Sequence, residues 1–156
     1  VKNTLPLWRH DLPEARIVSL EGAGHYPQWE RTKAVAAQIT EFCEKDSHID
    51  GLQSDGGSNI AIKHNTIFNQ CGETSAILLS TNTAPISNVQ ISNNLLAGGG
   101  WTLYCDAGPK VPNETVTGNR FSKLFYPKGG YWGPTAGCEH ADTFSGNIWD
   151  DTLAPL

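Results

Sequence analysis

The chain has 156 residues, 38% of them hydrophobic, and a formal net charge of −5, enough for one domain with a true core. It holds no basic cluster, which argues against nucleic acid as a partner, and no apolar run near the roughly 18 residues that a membrane span needs. Residues 1–46 carry 6 of the 11 Lys and Arg, 7 of the 16 Asp and Glu, and only 2 of the 16 glycines, so the chain changes character near Asp46.

The opening Val1-Lys-Asn-Thr-Leu-Pro6 has no initiator Met and no signal-peptide apolar region, and reads as the interior of a longer chain. Arg16–Leu20 suits a buried parallel strand, and Gly22 and Gly24 permit a tight turn that presents His25. Val35, Ala36, Ile39, Phe42 and Cys43 then recur on one face of a helix over 32–45, with Thr32 at its start and Lys45 near its end. Gly-Ala-Gly-His-Tyr-Pro-Gln-Trp-Glu, at 22–30, gives residues 8–45 a resemblance to the C-terminal segment of an α/β-hydrolase. That resemblance implies that His25 is the base of a Ser-His-Asp triad. No serine has glycines at both −2 and +2, as the nucleophile elbow requires, and Asp11 is the sole aspartate before His25. Without a nucleophile, His25 is expected to be an orphan base with little activity.

From residue 47 the chain repeats. Ser58-Asn-Ile-Ala-Ile-Lys-His-Asn65-Thr-Ile67 aligns with Ser87-Asn-Val-Gln-Ile-Ser-Asn-Asn94-Leu-Leu96, with Pro112–Phe121 around Asn119, and with Ala141–Trp149 around Asn147. The Asn-to-Asn spacings are 29, 25 and 28 residues, a period that points to a solenoid of short parallel strands. Ile62, Ile91, Val116 and Phe144 stand three before each Asn, and Ile67, Leu96, Phe121 and Trp149 two after it, as inward residues should. The Asn is expected in a bend that tolerates left-handed backbone angles, bonded to the coils above and below. Five before each Asn the series Ile60, Val89, Glu114, Asp142 turns polar, which is expected where a stack nears its end.

His48-Ile-Asp-Gly-Leu-Gln53, the Ser-Asn-(Ile/Val)-x-Ile repeat, Gly98–Tyr104, Phe125–Tyr131 and Gly146–Asp150 give residues 47–156 a resemblance to the C-terminal coils of secreted, pectate-lyase-like proteins. The expected fold is mainly β: a truncated right-handed parallel β-helix of about four coils, preceded by a strand–loop–helix segment. Residues 1–46 and 47–156 are the two expected domains, and helix 32–45 can cap the first coil if Val35, Ile39 and Phe42 pack near Leu52 and Ile60.

The resemblance implies a polysaccharide or oligosaccharide ligand and an extracellular setting. His48 and Asp50 should share one face, with Gln53 near them. A lyase needs a base and a neutraliser of the uronate carboxylate. Asp50, Lys63 and His64 could supply the catalysis, and Asp50 and Asp55 could hold Ca²⁺. A hydrolase would need two carboxylates instead. The plainer reading makes Asp50-Gly51 a turn and Lys63 a solvated lysine. Trp101, Tyr104, Tyr131 and Trp132, in glycine-rich loops, could stack on sugars or simply pack locally. The four cysteines are too far apart in sequence for zinc. Cys105–Cys138 is the preferred disulfide, because both flank Gly/Pro-rich loops near coil ends, with free thiols as the alternative; Cys43 is expected to be a core thiol. The leading functional expectation is a glycan-binding fragment that requires no cofactor and has little or no catalysis. Alternatives are a lyase or hydrolase of an acidic glycan, an esterase through His25, and an artificial junction without function.

Overall fold

The computed structural model describes Cys43 and residues 48–156. The chain divides into two units, Val1–Ile39 and Thr40–Leu156, and the described residues belong to the second. The strand at 16–20, the loop at His25 and the packing of Val35, Ile39 and Phe42 on Leu52 and Ile60 lie outside the described residues. So does helix 32–45, apart from Cys43, whose backbone is helical.

Three strands make each coil. The first has β1 (Leu52–Ser54), β2 (Gly57–Lys63) and β3 (Thr66–Asn69), and the second β4 (Ile77–Ser80), β5 (Ile86–Ser92) and β6 (Leu95–Gly98). β7 (Trp101–Ala107), β8 (Glu114–Thr117) and β9 (Arg120–Ser122) form the third, and β10 (Gly133–Ala136), β11 (Thr143–Ser145) and β12 (Ile148–Trp149) the fourth. Equivalent strands stack in parallel as three four-stranded sheets: β1-β4-β7-β10, β2-β5-β8-β11 and β3-β6-β9-β12. The protein is therefore mainly β, a parallel solenoid of four coils, in agreement with the period of the repeats.

The register converts the repeat into a core. Ile62, Ile91, Val116 and Phe144 stack in one column, and Ile67, Leu96, Phe121 and Trp149 in another. Ile91, Leu96, Val116 and Phe121 are fully buried, each contributing roughly 1.5–3 kcal/mol of apolar transfer. Ile77 and Leu103 continue the core beneath the first sheet. Past β12 the chain turns back: Ile148 bridges Pro155 and the Leu156 N–H donates to the Asn147 carbonyl at 3.0 Å. That segment covers an edge that would otherwise present unpaired backbone groups.

One corner is an amide ladder. The backbone N–H and Nδ2 of Asn65 both donate to Asn94 Oδ1, at 2.9 and 3.1 Å. Asn94 repeats this on Asn119 at 3.0 and 2.9 Å, and Asn119 on Asn147 at 3.0 Å in both bonds. The remaining amide hydrogen of Asn94 and of Asn119 reaches the carbonyl of Ile62 and of Ile91. The left-handed bend does not fall on these asparagines, contrary to the sequence reading. It falls one residue earlier, at His64, Asn93, Gly118 and Gly146, with φ of 56, 56, 64 and 65°. The tight reversal comes first, and the Asn is then free to turn its amide into the stack.

Two further expectations change. Glu114 is 1% exposed, so the column Ile60–Val89–Glu114 stays inside the solenoid and does not mark a polar end. Trp101 and Tyr104 belong to strand β7, and the glycine-rich stretch after Tyr131 contains β10, registered on it through Gly133–Trp101 and Ala136–Tyr104. Glycine is needed at 133 because a Cβ there would collide with the Trp101 ring.

Candidate functional site: a cleft on the first sheet

The first sheet turns Gln53, Leu78 and Tyr104 outward, one above another, in register on β1, β4 and β7. The segments that lead into β1 and β4 rise beside this column and supply His48, Asp50, Glu73 and Thr74. Together these seven residues line a cleft of about 380 Å³. The sequence reading had named His48, Asp50, Gln53 and Tyr104, and the fold brings all four together. It had not named Glu73, Thr74 or Leu78. The repeat could not have found them: Asn65 and Asn94 are 29 residues apart, whereas on the first sheet Leu52 pairs with Ile77 at an offset of 25, which, run back four residues, sets Glu73 over His48.

A buried asparagine holds the two lead-in segments in place. Asn69 Nδ2 donates to the carbonyls of Ile49 (2.6 Å) and Ser75 (2.9 Å), and lies 3.0 Å from Thr74 Oγ1; its Oδ1 accepts the Cys71 N–H at 3.0 Å. The Thr74 hydroxyl also donates to the Ile49 carbonyl. Asp50 Oδ1 accepts the Ser75 N–H at 2.8 Å and the Ser75 hydroxyl as well. Two donors on one carboxylate oxygen fix its direction. Burial, and then the Asp50 carboxylate, raise the Tyr104 phenol above its ordinary range. Tyr104 therefore stays a hydroxyl and can donate. Among the described residues the lining carries two carboxylates and no Lys or Arg, with His48 as its one basic side chain.

Lys63 and His64 are elsewhere. They end β2 and begin the bend after it, on the second sheet, and are exposed to solvent; the fold does not bring them to Asp50. Asp50 and Asp55 stand on either side of β1. Asp55 Oδ2 accepts Gln53 Nε2 at 2.7 Å, while its Oδ1 is buried without a hydrogen-bond partner among the described residues. Asp50 is engaged by Ser75, and no group of three His, Cys, Asp or Glu converges among the described residues. His25 lies outside the described residues.

Tyr131 and Trp132, 62% and 47% exposed, form an aromatic cluster with Tyr126, ring centroids 5.9–6.0 Å apart and edge-on. The Tyr126 hydroxyl donates to the Gln70 carbonyl at 2.6 Å, and the cluster packs on Gly72, next to Glu73. It borders the cleft wall without lining the cleft.

Two disulfides brace these regions. Cys105–Cys138 ties the third coil to the fourth, with Cα atoms 4.9 Å apart, and Cys43–Cys71 anchors the lead-in to β4, at 5.2 Å. Cys43 is thus half of a disulfide and not a core thiol; spacing could not reveal this, because only folding sets Cys71 beside it. The third coil also holds a buried acid at the start of β8. Glu114 Oε1 has no hydrogen-bond partner among the described residues. Burial, then the carboxylates of Asp106 and Asp142, push its pKa to about 8 against the opposing pull of Lys110. Asp106 pairs with His140 Nδ1 at 2.8 Å, and Asp142 with Lys110 Nζ at 2.8 Å.

No protein-family model matches the chain, and no curated protein or solved structure matches it.

Proposed function

We propose that the solenoid is a carbohydrate-binding unit from an extracellular protein of pectate-lyase-like architecture, with little or no catalysis of its own. One observation carries this reading: the in-register column Gln53–Leu78–Tyr104, walled by His48, Asp50, Glu73 and Thr74, forms a cleft that sets polar groups around the apolar Leu78. Sugars present hydroxyls that carboxylates accept and amides and phenols bond, and C–H faces that Leu78 and the Tyr104 ring can cover. With Asp50 and Glu73 in the lining and no Lys or Arg there among the described residues, a neutral segment of a polysaccharide or oligosaccharide suits the cleft better than a uronate run, which would meet like charge. Two disulfides support an oxidising, extracellular compartment.

Catalysis is the second reading, favoured by the presence of two carboxylates in one cleft, the minimum that glycoside hydrolysis requires. A lyase through Asp50, Lys63 and His64 has less support, since those residues sit on different sheets.

The test is a panel of neutral and acidic oligosaccharides titrated calorimetrically into the full chain. Binding to a neutral sugar, weakened at least about tenfold by Tyr104→Ala and unchanged by Lys63→Ala, is expected. If no sugar on the panel binds, the proposal fails; if binding is followed by release of reducing ends that Glu73→Gln abolishes, the protein is a hydrolase.

A further inference from the structure

We propose that Asn113 is an acceptor for N-linked glycosylation. Asn113-Glu114-Thr115 is the only Asn-x-Ser/Thr triplet with x other than proline in the chain. Asn113 is exposed, in a turn, with φ of 56°, the kind of surface position such acceptors occupy.

The solenoid supplies its own comparison. Asn59, Asn88 and Asn113 occupy the same corner on three successive coils, with φ of 59, 55 and 56°. Their side chains form a second, exposed ladder: Asn113 Nδ2 donates to Asn88 Oδ1 at 2.8 Å, and Asn88 Nδ2 to Asn59 Oδ1 at 3.4 Å. Two residues on, the register stacks Ala61, Gln90 and Thr115. Of these three coils only the third places a hydroxyl where the triplet requires it; the fourth has Thr143 in that register but Ala141 in place of the Asn. Backbone form and exposure are shared, so the acceptor is set by Thr115 and not by the turn.

In the transfer, Asn113 Nδ2 bonds to the anomeric carbon of an oligosaccharide supplied as a lipid-linked diphosphate. The sugar–phosphate bond breaks, the diphosphate leaves with its electron pair, and the amide gives up one proton. A substituted amide keeps one N–H, and the described structure uses one, to Asn88; the ladder bond survives. Glu114 is 1% exposed and Thr115 Oγ1 lies 3.4 Å from the Val89 carbonyl, so transfer belongs to the chain before the third coil closes. The compartment in which such donors act is also the one that forms disulfides, and the chain has two. The cleft is built at the entry to the first-sheet strands, whereas Asn113 follows the exit of β7, so the glycan leaves the cleft open. This inference does not rest on the cleft's ligand.

The experiment is secretion of the full chain, behind a leader peptide, from a eukaryotic host, followed by intact mass measurement with and without peptide N-glycosidase. The expected result is one glycan, removed by the enzyme with conversion of Asn113 to Asp. It should be absent from Thr115→Ala and retained in Thr115→Ser, a pair that separates loss of the acceptor from loss of folding. Disulfide-bonded protein secreted at the bare polypeptide mass, or a glycan that persists in Asn113→Gln, would overturn the proposal.

Discussion

Glu114 makes a quantitative prediction. Its carboxyl is buried within the third coil, at the start of β8, unpartnered at Oε1 among the described residues and held at about 8 from an ordinary 4.5 by burial and by Asp106 and Asp142, against Lys110. Below pH 4.5 both folded and unfolded chains carry the proton. Between 4.5 and about 8 the unfolded chain has lost it and the folded chain retains it, so the folded state binds more protons and stability falls as pH rises. The slope is about 1.4 kcal/mol per pH unit, reaching about 3 kcal/mol by pH 7 and levelling off near 5 kcal/mol above pH 8. Glu114→Gln keeps the shape and removes the titration. At pH 4.5 the two proteins should unfold in urea within about 1 kcal/mol of each other. At pH 8.5 the variant should be more stable by about 4 kcal/mol. The assay is urea unfolding followed by far-UV circular dichroism at half-unit pH steps, with the disulfides intact. Parallel pH curves for the two proteins would refute the reasoning.

Asn119→Ala removes the acceptor of two bonds from Asn94 and the donors to Ile91 and Asn147 in the buried part of the ladder; a loss of at least about 3 kcal/mol is expected in chemical denaturation, and a loss under about 1 kcal/mol would show the ladder to be ornamental. Replacing Cys105 and Cys138 together by serine should cost about 2–4 kcal/mol by unbracing the third and fourth coils, read as a lower melting temperature. Gly137→Ala meets two obstacles, a φ of 72° and the Asp106 carboxylate in the path of the new Cβ. It should lower the melting temperature and break the Asp106–His140 pair, read as a change in the His140 ring resonances by NMR.

Much of the solenoid was legible because two of its three faces are written as a repeat. Ile62, Ile91 and Val116, and Ile67, Leu96 and Phe121, recur at fixed distances from an Asn, and burial demands an apolar residue at each. The first sheet was not legible in that way. Its outward column Gln53–Leu78–Tyr104–Ala136 shares no chemistry, and Gly133–Ala136 reads as loop, because β10 is defined by the room it leaves for Trp101 and not by an apolar pattern. The cleft was half visible for the same reason. His48 and Asp50 stand out as residue types, whereas Glu73 and Thr74 become relevant only once a 25-residue offset sets them beside the first coil.

The sequence by itself determined the period, the amide ladder and the inward residues of the first three coils, since each is a local pattern repeated under one packing constraint; Phe144, expected inward on the fourth, is 36% exposed. Tertiary structure alone decided which cysteines meet, that Glu114 is buried, and that Lys63 and Asp50 face different ways. Those facts depend on how far the chain turns between strands, and turn angle, unlike hydrophobic period, leaves no mark on composition.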